Sequence, residues 1–138
     1  MNTSRRQLLG AGGAAAAALA FPRIVRAVSK VVEIGMTANA SGTRVRFDPI
    51  GLFVEPGWTI RWLNMDDGNS HTATAYHPSI LDHTRRIPKE AAPFDSDYLL
   101  PGEDFSITLS EPGIYDYYCV PHEHAGMVGR IIVGDIGW

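Results

Sequence analysis

One short segment near the C-terminal end carries the chain's single cysteine and, within nine positions, two further side chains that bind metals. Cys119 is followed by His122 and then by Met127, and β-prone apolar residues flank the segment on both sides. A thiolate, an imidazole and a thioether at this spacing fit a tight loop between two strands. The segment therefore predicts a compact metal-binding loop, and a lone cysteine excludes an internal disulfide.

The types of donor in this segment point to one metal. Soft sulfur donors combined with imidazole favour copper, and two histidines and a cysteine in a plane with a weak axial methionine describe a blue-copper site. The second histidine has to come from elsewhere, and His71 is the best candidate because the loop 66–70 leads through it into a β-prone segment. We expect His71, Cys119, His122 and Met127 to hold one copper ion.

The rest of the chain from residue 30 onward shows short β-prone segments separated by turn residues. Within one of them Trp58, Ile60 and Trp62 alternate with polar residues, which is the period of a half-buried strand. Strands are predicted at 31–36, 43–47, 51–54, 58–64, 71–75, 105–109, 114–119 and 128–133. About eight short strands predict an all-β fold, an antiparallel β-sandwich with Greek-key connections.

One long connection, residues 76–101, interrupts this pattern and carries His77, His83, Arg85 and Arg86. Loops of this length are uncommon unless they are functional or variable. Two interpretations stay open: a surface loop typical of the fold and without a specific role, or a surface that recognises a partner. A second metal site formed by His77 and His83 is a further alternative, which is disfavoured because isolated loop histidines are usually solvated.

The first 27 residues have the features of an export signal. Arg5 and Arg6 precede an apolar run from Leu8 to Ala20, and a small-residue cleavage motif follows at 25–27. The arginine pair resembles a twin-arginine signal, and the run is shorter than the roughly 20 apolar residues of a membrane span. We expect residues 1–27 to be a signal peptide and 28–138 an exported periplasmic domain, with an uncleaved anchor as the alternative.

Removal of this leader makes the domain acidic. Lys and Arg fall from 12 to 8 while 15 acidic residues remain, so the net charge becomes −7. Such a surface repels nucleic acid and anionic lipid and favours a basic docking partner. The alternative is that the charge only keeps the protein soluble. We expect no nucleic-acid partner and no stable membrane insertion.

The C-x2-H-x4-M loop that begins at Cys119 resembles the copper loop of plastocyanins and pseudoazurins. Further segments are similar to the same cupredoxin family: 62–66 ahead of His71 and Thr72, 100–102, 113–115 and 126–129. The resemblance covers most of the mature chain. It implies an eight-stranded Greek-key sandwich with one type 1 copper at its loop end, which carries single electrons between larger redox proteins.

The resemblance also implies how such a carrier meets its partners. The ligand histidine of the C-terminal loop, here His122, lies in the family under an apolar patch where redox proteins dock transiently. Expected partners are c-type cytochromes and copper or haem oxidoreductases, and a monomer without enzymatic activity is expected. The alternatives are a small copper-dependent redox enzyme and a copper storage or delivery protein, although four methionines are few for the latter.

Two details of the sequence bear on the ligand assignment. His124 rivals His122, because C-x4-H is the spacing of azurin-like loops, but those loops place Met four residues after that His, and here Met127 follows His124 by three. The plastocyanin-like reading with His122 is therefore favoured. Thr72 departs from the family, which usually has there an Asn whose side chain ties the two ligand loops together.

Overall fold

The computed structural model describes residues 30–134, which form two four-stranded sheets and one short helix. The elements in chain order are β1 (Val31–Ala38), β2 (Val45–Asp48), β3 (Gly51–Val54), β4 (Trp58–Asn64), β5 (Thr74–Ala75), β6 (Asp104–Leu109), β7 (Gly113–Tyr118), the 3-10 helix Val120–Ala125 and β8 (Val128–Val133). The predicted signal peptide, residues 1–27, lies outside this range. Within the range, no helix has the length and apolarity needed to cross a bilayer.

The strand order is β2-β1-β4-β6 in the first sheet and β3-β8-β7-β5 in the second. This arrangement confirms the predicted β-sandwich. Two of its strand pairs, β1 with β4 and β3 with β8, are parallel, which the expectation of an antiparallel sandwich did not include. After β2 the chain crosses to the second sheet as β3 and returns as β4, and parallel neighbours require such a crossover.

Strand β5 is shorter than the predicted segment 71–75. His71 forms only an isolated bridge with Leu99, and its N–H donates to the Leu99 carbonyl at 3.1 Å. The next two N–H groups donate to side chains instead of a strand: that of Thr72 to Sγ of Cys119 at 3.4 Å, and that of Ala73 to Oγ of Ser96 at 2.8 Å. The ladder therefore begins only at residue 74, because Cys119 and the connection 76–101 take the earlier backbone donors.

The core between the sheets is built around Trp62, which is fully buried in β4 as the alternating pattern predicts. Its ring meets that of Tyr117 in β7 edge to face, with centroids 5.3 Å apart. Phe94, from the long connection, packs on it at 5.4 Å. Aromatic pairs of this geometry are favourable beyond the area they bury. The Trp62–Tyr117 contact joins the two sheets and fixes β4 relative to β7.

The long connection is part of the core as well as of the surface. Its residues Ile87, Phe94 and Leu99 are buried in the same apolar cluster as Trp62. A backbone hydrogen bond from the Ala75 N–H to the Phe94 carbonyl, at 2.8 Å, holds the connection against β5. The connection thus reaches the interior at several points along its length.

The close packing around Tyr117 generates a test. A Cβ at Gly129 in β8 would overlap the Tyr117 ring, whereas a Cβ at Gly51 in β3 would meet no heavy atom within 4 Å. We predict that Gly129→Ala lowers the free energy of unfolding by about 1–3 kcal/mol, as overpacked cores do. Gly51→Ala, the control, should change it by less than about 0.5 kcal/mol. Denaturant unfolding measures both, and equal stabilities would contradict the described packing.

Candidate metal centre

Three donor side chains converge where the loops after β4 and β7 meet. The ligand atoms of His71, Cys119 and His122 all lie within 4.8 Å of one another. Sγ of Cys119 is 3.6 Å from Nδ1 of His71 and 3.4 Å from Nδ1 of His122. Among residues 30–134, this is the one group of three or more His, Cys, Asp or Glu side chains close enough to share a metal ion.

The loop after β7 is shaped by its backbone. Cys119 ends the extended segment, and the 3-10 helix that follows has Pro121 at its start and Gly126 at its end, where φ is +85°. The N–H of His122 donates to the Cys119 carbonyl at 3.1 Å, which folds the imidazole back towards the sulfur. A glycine suits the left-handed conformation that stops the helix and turns the chain into β8.

Met127, the predicted fourth ligand, is fully buried at the end of this loop. Its carbonyl accepts the N–H of Cys119 at 3.0 Å, and its own N–H donates to the His122 carbonyl at 3.1 Å. The backbone of Met127 therefore closes the loop onto both neighbouring donors. The assignment of its thioether as the axial ligand stays a prediction.

The loop before His71 holds that side chain by a carboxylate. Nε2 of the fully buried His71 lies 2.8 Å from Oδ2 of Asp66, which is itself buried. Burial alone would raise the pKa of Asp66, but hydrogen bonds from Asn69, the Gly68 N–H and His71 outweigh it, so the pKa lies below its ordinary value. Sequence reasoning missed Asp66; an acidic residue five positions before a predicted ligand histidine was the available signal.

Thr72 ties the two ligand loops together, although the plastocyanins and pseudoazurins that the sequence resembles usually have Asn there. Its hydroxyl accepts the N–H of Val120 at 2.8 Å, and its N–H donates to Sγ of Cys119 at 3.4 Å. The hydroxyl also bonds that of Thr74 at 2.9 Å, which in turn donates to Asp95 of the long connection. The Thr72 hydroxyl and backbone N–H thus link the two ligand loops, where the family usually uses an Asn side chain.

Burial shifts the pKa values of two of the three donors. Burial raises the pKa of the Cys119 thiol, and the Thr72 N–H offsets this only in part. Burial, with His71 and His124 nearby, lowers the pKa of His122 and favours the neutral imidazole that binds metals. A coordinating thiol loses its proton to the metal. One thiolate and two imidazoles, with the Met127 thioether five residues after His122, fit copper.

The three remaining histidines lie outside this group. His124 is exposed on the helix, in agreement with its rejection as a ligand from its spacing to Met127. Nδ1 of His77 lies 2.7 Å from the Ser79 hydroxyl, and the His83 ring packs edge to face on Tyr76. In the described part of the chain, His77 and His83 are therefore engaged in local contacts, and neither belongs to a cluster of three possible ligands.

The long connection also touches the metal loop. The Tyr76 hydroxyl donates to Oε1 of Glu123 at 2.8 Å, and Nε2 of His83 lies 3.7 Å from Oε2 of the same carboxylate. The Tyr76 ring packs on that of Tyr118, which precedes Cys119, with centroids 4.4 Å apart. These contacts brace the segment on either side of Cys119 and His122.

The sequence of the chain is similar to those of known copper proteins. Residues 34–134 match the family model of copper binding proteins, plastocyanin/azurin family. A chloroplastic plastocyanin of Oryza sativa subsp. indica is 37% identical over 133 residues, which are 94% of this chain and 80% of that protein. A pseudoazurin of Methylorubrum extorquens is 28% identical over 124 residues, 88% of this chain and 74% of that protein.

A solved structure agrees with the sequence matches. The structure of a pseudoazurin from Sinorhizobium superposes with a TM-score of 0.59 at 26% identity, and the match covers 77% of this chain and 75% of that one. The fold of the chain is therefore similar to that of a pseudoazurin over about three quarters of both chains.

The position of the two neighbouring histidines yields a prediction. His122→Ala should abolish the intense sulfur-to-copper absorption band, because it removes a donor 3.4 Å from Sγ, whereas His124→Ala, at an exposed position, should leave the band nearly unchanged. Cys119→Ser, which removes the sulfur itself, defines complete loss of the band. Visible spectra of the copper-loaded variants measure this. Loss of the band in His124→Ala alone would show that the loop is azurin-like.

Proposed function

The chain belongs to the plastocyanin/azurin family of copper-binding proteins, and on that premise we propose that His71, Cys119, His122 and Met127 are the ligands of its copper. It has one type 1 copper centre and functions in electron transfer, as its plastocyanin and pseudoazurin relatives do. The observation that carries this conclusion is the convergence of one thiol and two imidazoles on a single point within a β-sandwich.

Bound copper supplies a centre that alternates between Cu(I) and Cu(II) and so takes up and releases one electron. The chain's contribution is to bind it, to hold the donors still and to exclude water. His71 and Cys119 have no exposed surface, and hydrogen bonds through Thr72 join their loops. Donors fixed in this way move little when the charge of the centre changes, and that favours rapid transfer.

Electrons would pass through the exposed side of the centre, at His122. This imidazole is half-buried, whereas His71 is fully buried, and the adjacent residues Ala125 and Gly126 are small and exposed. Beside the loop, a groove reaches Val120 and is lined in part by the exposed side chains of Leu81 and Tyr98. Small and apolar neighbours allow a partner to approach the ring edge closely.

The partners are redox proteins that dock for a short time. The kind of partner follows from the plastocyanin and pseudoazurin relatives, which are electron carriers and support a carrier over a small copper enzyme or a copper store. We propose c-type cytochromes or copper or haem oxidoreductases with a basic docking face, because the mature chain carries a net charge of −7. Such contacts are small, and charge raises their rate of formation more than their affinity.

Salt should weaken this steering. The rate of electron transfer to a basic cytochrome c is predicted to fall about tenfold or more between 0.01 M and 0.1 M salt, as the Debye length shortens from about 30 Å to about 10 Å. Stopped-flow mixing at several ionic strengths measures the rate. A rate that does not depend on salt would contradict steering by the acidic surface.

A charge beside His122 should act at close range instead. Ala125→Glu is expected to slow transfer even at high salt, because Ala125 is exposed next to the proposed contact. Ala92→Glu is the matched control, since Ala92 is exposed but borders Leu109, at the far end of β6. Equal rates for the two variants at high salt would place docking elsewhere, for instance on the connection that carries Arg85 and Arg86.

The location of the protein is proposed from its N-terminal residues. The pseudoazurin and plastocyanin relatives support an exported protein, and residues 1–27 have the composition of a signal peptide. We propose export to the periplasm through the twin-arginine route, which carries folded proteins, on the basis of Arg5 and Arg6.

Replacing the arginine pair tests the route. Arg5→Lys with Arg6→Lys should block export, since a receptor that reads two arginines should reject two lysines although the charge is unchanged. The control is Arg23→Lys with Arg26→Lys, which makes the same change outside the pair. Immunoblots of periplasmic and cytoplasmic fractions measure export. Normal export of the first double variant would indicate the general secretory route.

A further inference from the structure

Within the part of the chain that the structure describes, a buried carboxylate beside the metal centre has no lysine or arginine partner. Asp66 is only 6% exposed, and its side chain lies in the loop between β4 and His71. Among residues 30–134 its one ion-pair contact is with His71, and no Lys or Arg lies within ion-pair distance. Buried charges are rare unless something compensates them. The positive charge available to Asp66 is that of the centre itself.

Hydrogen bonds hold this carboxylate in one position. Oδ1 accepts the N–H of Gly68 at 2.9 Å, and Oδ2 accepts the Asn69 side-chain amide at 2.8 Å. The N–H of Asp66 donates to Oδ1 of Asn64 at 2.9 Å, and the Asn64 amide donates in turn to the Leu99 carbonyl. Both carboxylate oxygens are thereby fixed by donors, which favour the ionised form and aim Oδ2 at His71.

These contacts determine which nitrogen of the His71 ring carries the proton and which one is free. A carboxylate only accepts hydrogen bonds, so the proton of the neutral ring lies on Nε2, 2.8 Å from Oδ2. Nδ1 is then left with its lone pair, and this atom is the one 3.6 Å from Sγ of Cys119. Asp66 thus selects the tautomer whose free nitrogen belongs to the donor group.

We propose that Asp66 is the positioning residue of His71, and that its negative charge lowers the reduction potential of the copper centre by favouring Cu(II) over Cu(I). The proposal rests on the proposed function, because it takes His71 as a ligand. A carboxylate hydrogen-bonded to a ligand histidine orients the ring and raises its basicity. A fixed negative charge in a water-excluded site also stabilises the more highly charged form of the metal, and burial limits its screening.

Asp66→Asn keeps the size of the side chain and removes its charge. Loss of such a partner typically weakens metal binding about 10- to 100-fold. If Cu(II) binding loses about tenfold more than Cu(I) binding, the potential rises by about 59 mV. The matched control is Asp67→Asn, which removes one charge from the adjacent, exposed position. Its effect should be smaller and should vanish at high salt, whereas that of Asp66→Asn should persist.

Protein-film or solution voltammetry at low and high salt gives the potentials. In the diamagnetic Cu(I) form of the wild type, proton NMR should also show a low-field His71 Nε2–H signal that is protected from exchange. This signal should move upfield or broaden in Asp66→Asn and stay in place in Asp67→Asn. If Asp66→Asn does not fold, the wild-type signal decides, and its absence would overturn the proposal.

The outcomes separate the two conclusions. A wild type with the sulfur-to-copper band, in which Asp66→Asn shifts the potential no more than Asp67→Asn does, would overturn the role of Asp66 and leave the proposed function standing. A wild type that binds copper without that band would overturn the proposed function and the role of Asp66 with it. A raised potential that persists at high salt, together with the altered His71 signal, would support both.

Discussion

The contact between Trp62 and Tyr117 joins the two sheets, and the geometry of the metal centre depends on it. β4 leads into the loop that ends at His71, and β7 leads directly to Cys119. The packing of one strand on the other therefore sets the separation of the two donors. Protein cores are densely packed and hardly compressible, so a displacement of one strand is transmitted to the strands packed against it. The same packing that stabilises the sandwich keeps the donors of an electron carrier in place.

Polar contacts refine what the core positions. Thr72 joins the loops by donating to Sγ of Cys119 and by accepting the Val120 N–H. The family usually achieves the link with Asn, so a shorter hydroxyl side chain meets the same requirement here. On the other face of His71, the proposed role of Asp66 is electrostatic. The Cys119 sulfur and the Asp66 carboxylate thus lie on opposite sides of the buried His71 imidazole. Thr72 links the loops on the sulfur side, and Asp66 supplies a negative charge on the other side.

The long connection has more than one role. Phe94 and Leu99 pack in the core, while Tyr76 and His83 contact Glu123 beside His122. A purely superficial excursion would not explain these contacts. The connection contacts the loop that carries Cys119 and His122, and it contributes apolar side chains to the groove beside that loop. A change in this segment would therefore alter both the rigidity of the centre and the surface that we propose for docking.

Several properties were determined by the sequence alone. Alternation around Trp62 predicted a strand because a period of two describes a half-buried strand, and the spacing from Cys119 to Met127 predicted a copper loop because few metals suit that donor set. Tertiary structure decided the rest: the parallel strand pairs, the truncated β5 and the pairing of Asp66 with His71. The alternation of apolar and polar residues indicates which face of a segment is buried. It does not report which distant segment lies against that face, because long-range packing selects the partner.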